Sequence, residues 1–170
     1  MESLLLLPAS REHVLQMMHW FPSRESCIVW GGQVFRFPFT AETFLADCRW
    51  SELPSYALMK RSGELCGFGQ YYLRAGRCHL ARLAIAPSQR GRGCGTWLIE
   101  NLMRIGTGEL RVNECSLFVN VSNAAAIALY ERLGFTRTPH PETTIESSTS
   151  HYMVKPSHAG ARRDADTAHD

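Results

Sequence analysis

The sequence predicts an α/β fold: a mixed, mostly antiparallel sheet with helices packed on it. Two features carry that expectation. Three apolar segments, 56–60, 65–73 and 78–85, follow one another across the short turns RSGE and RAGR, so successive strands must reverse direction. The third segment then breaks at Pro87, enters the glycine-studded turn RGRGCG at 90–95, and is followed by the helical pattern TWLIENLMRI. A doubly wound sheet would put a helix between successive strands, and here three strands come without one. At 170 residues, 45% hydrophobic and 20% charged, the chain has the size and balance of one soluble globular domain.

The elements are read in chain order. Residues 4–7 form an apolar run stopped by Pro8; four residues are too few for a signal peptide or a membrane span, so the run reads as a first strand. Ser10 is placed to cap a helix reaching about Trp20. Residues 22–30 read as a short helix closed by Gly31 and Gly32, and VFRFPFT as irregular, because Pro38 would break a ladder. Thr40 caps a further helix, ETFLADCRW. Beyond the glycine turn, Leu98, Leu102 and Ile105 share one helix face, with Gly106 and Gly108 ending that helix. Strand 115–120, helix 123–133, strand 135–138 and a closing strand near 150–154 complete the domain, 1–155. From Pro156 the composition turns Ala/Arg/Asp/His-rich without periodicity, so 156–170 is expected to be a disordered tail.

Charge and cysteine usage narrow the partners. Eighteen basic and sixteen acidic residues, net +2, are too balanced to argue for nucleic acid. Cysteines 27, 48, 66, 78, 94 and 115 contain no C-x-x-C pair, which is not zinc spacing. Together with the absence of a signal peptide they suggest reduced thiols in a cytoplasmic protein with no metal and no membrane partner.

The glycine turn carries the chemistry. A strand feeding such a turn and then a helix can hold a phosphorylated cofactor, because glycines let backbone N–H groups approach phosphates and the helix N-terminus adds partial positive charge. Arg90 and Arg92 alternate with Gly91, Gly93 and Gly95, adding guanidinium charge. No Lys-Ser/Thr pair closes the turn, which excludes the nucleotide P-loop. The spacing is G-x-G-x-G, without an acidic residue at the dinucleotide offset, so a dinucleotide site is not expected either. Taken alone, the turn would also read as solvated surface.

The segment 90–95 resembles the R/Q-x-x-G-x-G/A acyl-CoA loop of the GNAT superfamily of acetyl-CoA-dependent N-acetyltransferases, and LAIAP before it resembles that family's fourth strand. ECSLFVN at 114–120 is similar to its fifth strand, and NAAAIALYERLGF at 123–135 to its second signature, N-x-x-A-x-x-x-Y-x-x-x-G-F. The resemblance implies a GNAT-type sheet whose fourth and fifth strands splay apart, with acetyl-CoA entering the gap as co-substrate. It implies that Leu83, Ala84 and Ile85 offer main-chain groups to the pantetheine arm. It further implies that Arg90, Gly91, Arg92, Gly93, Cys94, Gly95 and Thr96 bind the cofactor through its pyrophosphate, and that Asn123 touches the cofactor arm while capping its helix.

Acyl transfer from a thioester to an amine needs a neutral amine, a polarised carbonyl and a proton for the departing thiolate. Tyr130 shares a helix face with Asn123 and matches the family tyrosine near the cofactor sulfur, which makes it the candidate donor; by composition alone ALYERLGF would make it a packed tyrosine. Many relatives place a glutamate base on the fourth strand, yet no carboxylate lies between Glu64 and Glu100. Strand alternation puts His79, Ala81, Leu83 and Ile85 on one parity, and His79 falls where some relatives carry that glutamate. His79 is therefore the candidate base or orienter of water, with water itself as the alternative. Arg82, of opposite parity, reads as structural or surface.

The acceptor amine, a small molecule or a protein amine, is expected to meet residues 20–75. There Trp30, Phe35, Phe37, Phe39, Tyr71 and Tyr72 form an aromatic-rich set, with Glu25, Glu42 and Gln70 as amine partners. A homodimer stays open. The competing reading is a non-catalytic GNAT-fold sensor or interaction module that holds acyl-CoA without turnover, favoured only by the missing carboxylate.

Overall fold

Each helix of the N-terminal half starts where a hydroxyl side chain reaches back to an otherwise unpaired backbone N–H. A computed structural model describes residues 2–143 and 145–157. Ser10, Ser23 and Thr40 cap α1 (Arg11–Met18), α2 (Arg24–Gly31) and α3 (Ala41–Asp47), each in a reciprocal capping box. Helix α3 ends before the expected Trp50 because Arg49 turns left-handed, with φ 53°.

The strands are β1 (Leu4–Pro8), β2 (Ser55–Lys60), β3 (Leu65–Arg74), β4 (Arg77–Ile85), β5 (Glu114–Asn120), β6 (Thr136–Thr138) and β7 (Ser150–Pro156). Among the described residues they form one sheet in the order β1-β2-β3-β4-β5-β7-β6. β1 with β2, β2 with β3, β5 with β7 and β6 with β7 are antiparallel, whereas β4 and β5 pair in parallel. This is the mixed, mostly antiparallel sheet the sequence predicts. The chain divides into two compact units, one holding residues up to 70 with 82–99 and the other 71–81 with the chain from 100 on. Strands β3 and β4 and helix α4 (Cys94–Leu110) contribute to both.

In the first unit α1 buries Val14 and Met17, spaced i, i+3, in a cluster with Phe21, Cys27, Phe35, Phe44, Cys48, Phe68 and Ala84. Trp30, Phe37 and Phe39 pack against that cluster, so most of the expected aromatic set is wall and core of this unit. In the second unit β5 and β7 pair over their full lengths and α5 (Ala124–Arg132) precedes the short β6.

Two expectations change here. Helix α4 continues through Gly106 and Gly108 to Leu110, and the left-handed residue that ends it is Arg111, φ 55°. Gly106 is there for close approach: a Cβ would sit 2.5 Å from Cys78 Sγ and 3.0 Å from the Tyr71 ring. The closing strand runs on to Pro156, and Ser157 is buried, its N–H donating to Asn113 O at 2.7 Å. From residue 158 the expected tail lies outside the described residues.

Candidate functional site

The glycine turn is pinned at its base and open at its tip. After β4 ends at Ile85, the N–H of Ala86 donates to Cys66 O at 2.8 Å and Pro87 opens a 3₁₀ turn, Pro87–Gln89. The Gln89 side chain is buried and donates to Glu64 Oε1 at 2.7 Å, while Glu64 Oε2 accepts from Lys60 Nζ at 2.8 Å. The Lys60 hydrogen bond is the main cause holding the Glu64 carboxyl below the usual range. Residues 90–93 are exposed, and Arg90 Nε reaches Ile85 O at 3.3 Å. Gly91 and Gly93 are left-handed, φ 71° and 82°, and nothing lies within 4 Å of a Cβ built on either. Glycine is needed there for the backbone conformation and not for space.

The N–H of Trp97 donates to Gly93 O, the first bond of α4. The amides of Cys94, Gly95 and Thr96 are then the first of the helix, where intrahelical partners are lacking. With the exposed Arg90 and Arg92 alongside, this helix start suits a phosphate-bearing ligand, and the residues fit the acyl-CoA role.

The strand entering the turn is bent. Arg82 holds φ 49° inside β4. Its guanidinium donates to Gln70 Oε1 at 3.2 Å and Asp47 O at 3.3 Å, and Gln70 Nε2 donates to Cys48 O and Ser55 Oγ, both at 2.9 Å. A buried amide left unpaired would cost about 1–3 kcal/mol; Gln70 avoids that by spending both ends on the protein. Gln70 is thus a scaffold residue and not an amine partner. Arg82 is structural, as one of its two readings had it. Gly67 lets β3 lie close to the bend, since a Cβ there would meet Ala84 O at 3.0 Å and Ile85 Cδ1 at 2.9 Å.

The parallel ladder places Cys78, His79 and Leu80 opposite Cys115, Ser116 and Leu117, and both strands run on past it, to Ile85 and Asn120. His79 is not an edge residue. It is 2% exposed, its Nδ1 lies 2.9 Å from Ser116 Oγ, and its ring packs against Tyr72, Phe118 and Tyr152. Serine can donate to or accept from imidazole, so Ser116 serves either tautomer. The parity that aligned His79 with Leu83 assumed unbroken alternation, and the positive φ at Arg82 breaks it.

Tyr130 lies on α5, buried, edge-on to Phe135 at 6.0 Å, with no hydrogen bond to its hydroxyl among the described residues. Burial pushes its phenol up to about 12. Asn123 caps α5, accepting from Ala126 N at 3.3 Å.

The first unit thus gathers Leu83, Ala84 and Ile85 with residues 90–96, while His79, Asn123 and Tyr130 belong to the second. The aromatic set divides likewise: Trp30, Phe35, Phe37 and Phe39 in the first, Tyr71 and Tyr72 in the second. Glu25 and Glu42 are exposed in the first turns of α2 and α3, where a carboxylate favours the helix dipole. Ser116 escaped sequence reasoning, because only the β4–β5 register sets it opposite His79. Among the described residues no group of His, Cys, Asp or Glu side chains is placed to hold a metal ion, and no helix is long and apolar enough to cross a membrane.

The fold and the loop suit an acyl-CoA-dependent transferase. Residues 16–135 match the model of the acetyltransferase (GNAT) family, and the chain belongs to that family. As a member it is an N-acetyltransferase with acetyl-CoA as co-substrate. It is 27% identical over 166 residues to an aminoglycoside N(6')-acetyltransferase type 1 of Klebsiella pneumoniae, covering 85% of this chain and 79% of that protein. With a Bacillus subtilis protein bearing the name of a ribosomal protein bS18-alanine N-acetyltransferase it shares 26% over 100 residues, 59% of this chain and 66% of that one. Among solved structures it is similar to AAC(6')-Ib in complex with ribostamycin and coenzyme A, with a TM-score of 0.72 at 22% identity, covering 98% and 100% of the two chains. The spermidine N-acetyltransferase of Vibrio cholerae, in complex with CoA and spermine, gives a TM-score of 0.68 at 19% identity, covering 91% and 95%.

Proposed function

We propose that the protein moves the acetyl group of acetyl-CoA directly to a primary amine in a ternary complex, with the cofactor held by residues 83–85 and 90–96 and by Asn123. The exposed left-handed glycines leading into α4 are the observation that carries this reading. The amine nitrogen attacks the thioester carbonyl, the new C–N bond forms, and the C–S bond breaks. The amine proton leaves to His79 or to water, and the departing sulfur meets the Tyr130 hydroxyl.

Burial gives that hydroxyl a defined part. With its phenol near 12, Tyr130 is fully protonated at neutral pH. Complete transfer to an ordinary thiolate, whose acid lies near ~8.5, would be uphill by about 5 kcal/mol. Tyr130 therefore acts chiefly as a hydrogen-bond donor to sulfur as negative charge develops. A cytoplasmic location belongs to the same reading, supported by six free, buried cysteines.

The test is release of free CoA thiol on mixing with acetyl-CoA and a panel of primary amines: amino acids, polyamines, aminoglycosides and peptides with free N-termini. Release with at least one class is expected. No release with any, while acetyl-CoA still raises the melting temperature, would leave a binding module in place of an enzyme.

A further inference from the structure

The first unit contains a cavity of about 200 Å³ lined by Arg24, Cys27, Ile28, Gln33, Phe35 and Phe37. That is below the roughly 300–1,000 Å³ of pockets that take a whole drug-sized ligand, so it has room for one end of a molecule. Its lining is mixed: Ile28 and the rings of Phe35 and Phe37 are apolar, Cys27 is buried, and Arg24 and Gln33 are polar. Burial pushes the Cys27 thiol up to about 11, which keeps it neutral.

Among the described residues, the one charged side chain lining the cavity is a cation, Arg24. Arg24 NH2 donates to Phe37 O at 3.0 Å, with its guanidinium 5.9 Å from the Phe37 ring centroid. Among the described residues its remaining N–H groups make no hydrogen bond or ion pair. Gln33 adds an exposed amide. No carboxylate lines the cavity. Asp47, whose charge acts on Cys27, is taken up by Arg36, which holds both its oxygens at 2.9 and 3.1 Å. An amine that carries only positive charge would meet an uncompensated guanidinium here.

We infer that this cavity binds the carboxylate-bearing end of the acceptor, with Arg24 pairing the carboxylate and Phe35 and Phe37 flanking an apolar group, so that the acceptor is an amino-acid-like amine and not a polycation. A guanidinium with unspent N–H groups is the side chain suited to a carboxylate. Of the lining residues, Phe35 packs toward β4: it shares one buried cluster with Ala84 and has the Arg82 guanidinium 5.9 Å from its ring centroid. The inference rests on the acetyl-transfer reading for its meaning, and its first test does not depend on catalysis.

That test is calorimetric titration of the protein with 3-phenylpropionate and with its amide. The acid is expected to bind at least tenfold more tightly than the amide, Arg24→Gln to erase the preference, and Arg24→Lys to restore part of it. Arg24 is exposed, so both variants should fold. The second test compares kcat/KM for phenylalanine and phenethylamine by CoA release. The ratio should favour phenylalanine in the wild type and fall at least tenfold in Arg24→Gln. Equal binding of acid and amide, or a preference that survives in Arg24→Gln, overturns the inference even if amines are acetylated. If no amine is acetylated, the proposed activity fails and the titration alone judges the cavity.

Discussion

Residues 90–93 are exposed, with left-handed glycines that have open space where a Cβ would sit, while His79 and Tyr130 are buried among rings. The two regions handle charge in opposite ways. On the proposed reading the loop would bind through backbone amides and a helix start, so its function would depend on φ angles as well as on Arg90 and Arg92. On the same reading the buried residues would work through one ring nitrogen or one hydroxyl, whose properties come from what surrounds it. Burial has already shifted Tyr130. A substitution in the loop should therefore act on binding, and one among the buried residues on turnover.

The largest expected effect is at the loop. A ligand that binds only the folded state at a hundred times its Kd stabilises by about 2.7 kcal/mol, so acetyl-CoA should raise the wild-type melting temperature. Gly93→Asp strains a residue at φ 82° and adds negative charge, and should abolish that rise. A folded Gly93→Asp variant with the rise intact would break the contrast.

Next comes Tyr130→Phe, which removes one hydroxyl and keeps the ring against Phe135. Turnover should fall roughly 10²–10³-fold, the scale of losing one donor to developing charge, with the Kd for acetyl-CoA little changed. The shift also predicts a stability change. The fold favours the neutral phenol, so this contribution is complete below the ordinary value of 10.0 and is lost as pH rises toward about 12. Melting curves across that window should show a larger loss in the wild type than in Tyr130→Phe, where buried thiols such as Cys27 still contribute.

His79→Gln is expected to slow the reaction by about 10²-fold, the lower end for a general base, and to remove the acidic limb of kcat/KM. Acceptors of different pKa separate the enzyme's limb from the amine's own. A limb that follows the acceptor and persists in the variant would make His79 a packing residue beside Ser116.

The smallest effect sharpens the boundary between the two regions. Asn123→Ala removes the α5 cap and should cost about 1 kcal/mol in thermal or denaturant unfolding. If Asn123 also touches the cofactor, the Kd for acetyl-CoA rises as well. An unchanged Kd would assign it to the helix alone.

How far each region could be read in the sequence follows the same division. The loop is local: Pro87 stops a strand, Gly91 and Gly93 supply positive φ, and Gly93 leads into α4 within a few residues. The caps at Ser10, Thr40 and Asn123 are legible for the same reason, because a side chain and the amide it accepts from lie three residues apart. Gly106 misled as a helix stop, since its neighbours are Cys78 and Tyr71 and no local pattern announces them.

By itself the sequence determined the strand and helix order, the glycine turn before α4, and the family signature that ends in Tyr130, Gly134 and Phe135. Tertiary structure alone decided that Ser116 faces His79 across the parallel ladder and that Gln70 is spent on Cys48, Ser55 and Arg82. It also decided that Arg24 is left with N–H groups to spare beside Phe35 and Phe37. Backbone conformation answers to neighbours in the chain. The partners of a buried polar group are set by strand register and bends such as that at Arg82, which join residues up to dozens of positions apart.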